Sequence, residues 1–101
     1  MFEVDDKLYE LKYTIRTIEA IENATGSSLV ATIKKTEGLL SITTLKAYFA
    51  FALFNEDGSR VGQKQGAELA ERLLESEGYM KLNEAVVVAI DRDCPFLFQV
   101  N

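Results

Sequence analysis

The sequence predicts an α+β fold, mostly α: an N-terminal β-hairpin followed by about five helices in one compact domain. Three observations lead there. Residues 2 to 13 alternate apolar and polar side chains on either side of Asp5-Asp6-Lys7, the pattern of strand, turn and strand. Residues 39 to 54 carry one charge, Lys46, and are apolar nearly all round at helical spacing, as a buried helix is. Gly26, Gly38 and Gly78 cut the remainder into segments with a helical period.

The hairpin spans 2–13. Phe2-Glu3-Val4 forms one arm and Leu8 to Tyr13 the other. An Asp pair suits the turn less well than Asp-Gly, because a primed turn needs positive φ. Two strands alone are marginal in water, so this hairpin must lean on helices or on another chain. The helical region spans 14–94. Thr14 caps its first helix, whose apolar stripe is Ile15, Ile18 and Ile21; Gly26 stops it. Ser27 or Ser28 starts the second, with Leu29, Val30 and Ile33 inward and Lys34 and Lys35 outward, and Gly38 stops it.

Ser41 caps the central helix. Ile42, Leu45, Phe49 and Ala52 share one face, with Leu53 beside them and Tyr48 and Phe51 on the next face. Only a strip through Thr43, Lys46 and Ala50 is left to face water. The stretch is too short for a bilayer, which needs roughly 20 apolar residues. Asn55-Glu-Asp-Gly-Ser59 ends it as a turn. The next helix runs from Gln63 to Glu77. It buries Gly66, Leu69, Ala70, Leu73 and Leu74 and sets Glu68 and Arg72 as an i,i+4 pair on its wet side. Gly66 either admits a close neighbour or lies at the fraying start.

Residues 83 to 93 read two ways. Ala85 to Ile90 is β-branched enough for a buried strand. Asn83 as a cap, with Leu82, Val86, Ala89, Ile90 and Asp93 along one face, favours a helix. Pro95 prevents extension, and Phe96-Leu97-Phe98-Gln99-Val100-Asn101 completes an apolar C-terminal tail, 95–101.

A chain of 101 residues predicts one domain with little surplus stability, which gains from association with itself or with a partner. The formal net charge is -5, and residues 51 to 101 hold nine acids against five bases. Nucleic-acid binding draws its affinity from a basic face, and Lys34-Lys35 is the only basic pair. The reading is therefore no nucleic acid and no membrane. A lone cysteine permits no internal disulfide, and Met1 to Asp6 shows no basic-then-apolar signal, so a soluble cytoplasmic protein is expected.

Little chemistry is on offer. With no His, the commonest general base and metal ligand is missing. Cys94 lies among Asp91, Asp93 and Pro95; neighbouring carboxylates raise a thiol pKa, and a reactive thiol needs the reverse. Asp91 and Asp93 fit an ion pair or a solvated helix end better than a metal site, with Arg92 between them. Residues 55 to 59 lack the alternating oxygen ligands and final Glu of a calcium loop. No enzyme and no cofactor is expected.

Phe2 to Tyr13 leads into Ile18-Glu-Ala-Ile-Glu-Asn-Ala-Thr-Gly26, then Gly38-Leu-Leu-Ser-Ile-Thr-Thr-Leu-Lys-Ala-Tyr48, Lys64-Gln-Gly-Ala-Glu-Leu-Ala-Glu-Arg-Leu-Leu-Glu75 and Asp93-Cys-Pro-Phe96. In order, spacing and length, over nearly the whole chain, this set resembles the small tail assembly chaperones of long, non-contractile-tailed phages and Gram-positive prophages. The resemblance implies an assembly factor without catalytic residues. Such proteins coat the tape measure protein in the host cytoplasm and are absent from the finished virion. It also implies a longer frameshifted form that recruits the tail tube protein, and self-association. No binding residue carries over by position. From the chain itself, Phe96, Leu97 and Phe98 are the partner-contact candidates, with docking on the chain's own core as the alternative. A small stoichiometric regulator or inhibitor of a host protein is the rival function.

Overall fold

Two short strands open the chain, β1 (Phe2–Val4) and β2 (Lys7–Leu11), and three helices follow: α1 (Ile15–Thr25), α2 (Leu29–Thr36) and α3 (Ile42–Phe51). Then come a third strand, β3 (Leu53–Asn55), two fifteen-residue helices, α4 (Gln63–Glu77) and α5 (Tyr79–Asp93), and a 3-10 turn, Pro95–Phe98. The computed structural model describes residues 2–98. The expected α+β, mostly helical architecture is present.

The hairpin turn is Asp5-Asp6, with φ of 51° and 66°. Both values are positive, as a primed two-residue turn requires, so two aspartates take the conformation that Asp-Gly takes more easily. Asp5 forms an ion pair with Arg72 of α4, which ties the turn to the helix. The sequence pairs Arg72 with Glu68 instead; the turn brings it a carboxylate 67 positions away.

A correction concerns the end of the central helix. It stops at Phe51, and Leu53–Asn55 pairs antiparallel with β2, Leu11 opposite Leu53 and Tyr9 opposite Asn55. The Lys12 amide donates to the Ala52 carbonyl at 3.0 Å. The sheet order is β1-β2-β3. The hairpin thus gains the third strand it needs to be stable.

One cluster of buried side chains draws on every element from β2 to α5, with Tyr48, Phe49 and Leu45 of α3 at its centre. Of the strip of α3 expected to face water, Thr43 is exposed and Lys46 partly so, but Ala50 is not. Ala50 is buried, because α4 crosses it at Gly66, whereas Ile42 is 58% exposed. Ile15 is exposed too. Both isoleucines open their helices, ahead of the first turn that packs. Thr14, Ser28 and Ser41 cap α1, α2 and α3 as expected, each side-chain oxygen accepting from the amide three residues on.

Residues 83 to 93 are helical, but Asn83 is no cap. The helix α5 starts at Tyr79, directly after Gly78, and Asn83 lies buried in its second turn. Its Nδ2 donates to the Gly38 carbonyl at 2.8 Å, and its Oδ1 accepts from the Leu40 amide at 3.2 Å. It pins the α2–α3 connection to α5. Gln99, Val100 and Asn101 of the expected tail lie outside the described residues.

Candidate functional site

An apolar groove of about 250 Å³ lies between the hairpin and the α4–α5 pair. Phe2, Val4 and Leu11 form the sheet side, Phe49 of α3 contributes from the core, and Leu73, Leu82 and Ala85 form the helix side. The Phe2 ring lies 6.0 Å from the Tyr9 ring and 6.1 Å from the Phe49 ring, centroid to centroid, so aromatic packing holds the strand against α3. Three charged residues, Glu3, Glu77 and Lys81, also line the groove. Lys81 of α5 reaches Glu77, the last residue of α4, at 3.4 Å across the Gly78 junction.

The sheet side is clamped from behind. Arg92 Nη2 donates to the Leu11 carbonyl at 2.5 Å, and Asp93 Oδ2 accepts from the Tyr13 amide at 2.9 Å. The Arg92 guanidinium also donates to both Asp93 oxygens and holds that carboxyl below the usual range, helped by the Tyr13 amide. The buried Tyr13 hydroxyl donates to the Tyr48 carbonyl at 2.7 Å. Burial pushes the Tyr13 and Tyr48 hydroxyls well above their ordinary value, so both stay protonated. The Tyr48 hydroxyl is itself buried without a hydrogen-bond partner among the described residues.

The two edges of the sheet differ. Beyond β3, residues 59 to 61 occupy the outer hydrogen-bonding groups: the Asn55 amide donates to the Ser59 carbonyl at 2.8 Å, and the Val61 amide to the Leu53 carbonyl at 3.1 Å. The β1 edge, next to the groove, pairs with no further strand among the described residues. The expected turn at 55 to 59 is present, and the Ser59 hydroxyl and amide bonded to Asp57 lower that carboxyl's pKa.

Of the residues singled out from the sequence, Phe96, Leu97 and Phe98 form the 3-10 turn after α5. Leu97 and Phe98 pack against the core cluster, while Phe96 is 47% exposed. None of the three lines the groove, whose α5 members are Lys81, Leu82 and Ala85, more than two helical turns earlier. Cys94 is buried, and burial first, then Asp93, raises its thiol pKa. Asp91 is not among the causes. Among the described residues, no three His, Cys, Asp or Glu side chains are grouped to hold a metal ion. No helix of the described residues is long and apolar enough to cross a membrane.

The groove was not legible in the sequence. Its members come from β1, β2, α3, α4 and α5; its large apolar members each read singly as core residues, and its charged ones as a solvated face. The one available signal was Ala85, a small residue on a helix whose neighbours Leu82 and Val86 are buried. Comparisons of the chain with models of protein families, with curated proteins and with solved structures find no match.

Proposed function

We propose that the chain is a non-catalytic tail assembly chaperone. It binds and coats the tape measure protein in the host cytoplasm. It helps recruit the tail tube protein through a longer, frameshifted form, and it is absent from the finished virion. The observation that carries this reading is the apolar groove beside β1, a site suited to shielding apolar side chains of a client. The resemblance of the ordered segments to that chaperone family supports it. So does the acidic balance, which keeps a carrier of apolar clients soluble. The exposed Phe96 and the small core both favour association between copies.

Co-expression with the tape measure protein tests the reading. The expected result is a soluble complex, aggregation of the tape measure protein without its chaperone, and loss of tails when the gene is deleted. A slippery run near codons 90 to 101, followed by an overlapping open frame, is expected in the nucleotide sequence. Normal tails after deletion, with no soluble complex, would overturn the proposal.

A further inference from the structure

We propose that α2 is a lid: it comes off the core and unwinds between Gly26 and Gly38 while the other helices stay folded, uncovering Leu29, Ile33 and the apolar surface beneath them. This goes beyond the chaperone reading and does not rest on it. No residue of α2 lines the groove beside β1.

The sequence of α2 makes a weak helix. It has eight residues, and Val30, Thr32, Ile33 and Thr36 are β-branched. Such side chains lose χ1 freedom in a helix. A helix so short does not hold its own bonds in water, so α2 depends on packing.

Yet it has the least packing of the five. Leu29 is its single buried residue, whereas each of the other α-helices buries three or more. Ile33, one turn on, packs against the core but is only partly covered. Lys34 and Lys35 make no ion pair among the described residues. The bonds of the Ser28 and Thr36 hydroxyls stay within the segment. Among the described residues, one hydrogen bond ties α2 to another element: the Leu29 amide donates to Glu22 Oε2 of α1 at 2.7 Å.

Both ends turn on fixed frames. Gly26, at φ 70°, precedes α2, and Glu37 and Gly38, at 57° and 87°, follow it. A few such residues at the ends of an element are enough to absorb the rotation of a hinge. On the near side the Gly26 amide donates to the Glu22 carbonyl at 2.8 Å. On the far side Asn83 and Tyr79 of α5 hold the Gly38 carbonyl and both backbone groups of Leu40. The chain is thus anchored just before and just after α2, so its opening does not spread. Little buried surface between fixed ends is the mark of a segment that opens locally.

Native-state hydrogen exchange of the full chain, followed by NMR in low urea, tests the lid. The amides of Ile33 to Thr36 are expected to exchange at least about 100-fold faster than those of α3 and α5, with little dependence on urea because little surface is exposed. Glu22→Gln weakens the one bond to α1 and is expected to speed exchange in α2 alone, by about tenfold. Thr32→Ala, at a half-buried position, raises helix propensity and is expected to slow exchange in α2 by about threefold. Exchange of α2 with the rate and urea dependence of α3 would overturn the inference. So would equal acceleration of every helix by Glu22→Gln, or an α2 rate that neither variant moves.

Discussion

A Cβ built on Gly66 would lie 2.8 Å from the Cα of Ala50 and 3.0 Å from its Cβ, so α4 crosses α3 with two small residues at the contact. The atom in the way is backbone, and it cannot swing aside as a flexible side-chain end does. Gly66→Ala sets two effects against each other. Helix propensity favours alanine by roughly 0.5–1 kcal/mol, and overpacking costs about 1–3 kcal/mol. The expected outcome of chemical denaturation is a net loss of about 1–2 kcal/mol, with packing the larger effect. A stabilised Gly66→Ala would mean that the helices part without cost.

The hairpin turn should respond in the opposite direction. Asp6 sits at φ 66° with a Cβ, in a region where glycine is free of steric penalty. Asp6→Gly is expected to raise the denaturation midpoint, by about 0.5–1 kcal/mol, since it restores the favoured Asp-Gly pair. Asp5→Gly relieves the same strain but removes the ion pair with Arg72, so a smaller gain is expected. A lower midpoint for Asp6→Gly would show that its carboxylate contributes more than its backbone strain costs.

These two sites mark how far the sequence can be read. The caps Thr14, Ser28 and Ser41 were legible because each depends on an amide only three residues away. The glycine stops and the amphipathic stripe of α4 are local in the same way. The third strand was not legible. Leu53-Phe54-Asn55 prolongs an apolar helical run, and three residues are too few to show a strand period. Its pairing partner, Leu11, belongs to the other end of the chain. Asn83 misled for a related reason. Its partners Gly38 and Leu40 are 45 and 43 positions away, so locally it looked like a cap. The groove is harder still, because it exists only once β1 lies beside α4 and α5.

Asp93 should govern part of the acid limb of stability. Its folded pKa is depressed by Arg92 and by the Tyr13 amide. A depressed carboxyl contributes stability that is fully present above its unfolded pKa of about 3.9 and is lost as the pH falls through the lower folded value. Stability is therefore expected to be level near neutrality and to fall below about pH 4. In Asp93→Asn the amide oxygen still accepts from Tyr13 but no longer balances Arg92. About 1 kcal/mol should be lost at neutral pH, allowing for the partial exposure of the pair, and the acid limb should flatten. Urea melts of both proteins from pH 3 to 7 check this; parallel acid limbs would assign the effect elsewhere.

Cys94 is 1% exposed, and its thiol is held protonated by burial. Labelling by a disulfide reagent is expected to be slow in the native protein and fast in denaturant. The sequence alone suggests that Cys94→Ser costs little. The structure changes that expectation, because the substitution buries a hydroxyl where a weakly polar sulfur packed. Cys94→Ser is expected to lose about 1–3 kcal/mol, and Cys94→Ala to lose less. Rapid native labelling would show that the 3-10 turn opens readily.

The same turn divides the two fates foreseen for the apolar tail. The Leu97 amide donates to the Cys94 carbonyl at 3.1 Å, which folds Pro95–Phe98 back onto the end of α5. Leu97 and Phe98 then cover the core, but Phe96 keeps 47% of its surface in water. The three side chains should therefore separate by assay. Leu97→Ala and Phe98→Ala are each expected to lower stability by about 1–2 kcal/mol, less than for fully buried residues because both are only partly covered. Phe96→Ser is expected to melt nearly as the parent does and to weaken association between copies or capture of the tape measure protein. Light scattering over a wide concentration range reads the first, and a pull-down with the tape measure protein reads the second. If Phe96→Ser loses stability as the other two do, Phe96 is part of the core covering. If it alters neither stability, association nor capture, no contact role remains for it, and partner binding falls to the groove beside β1.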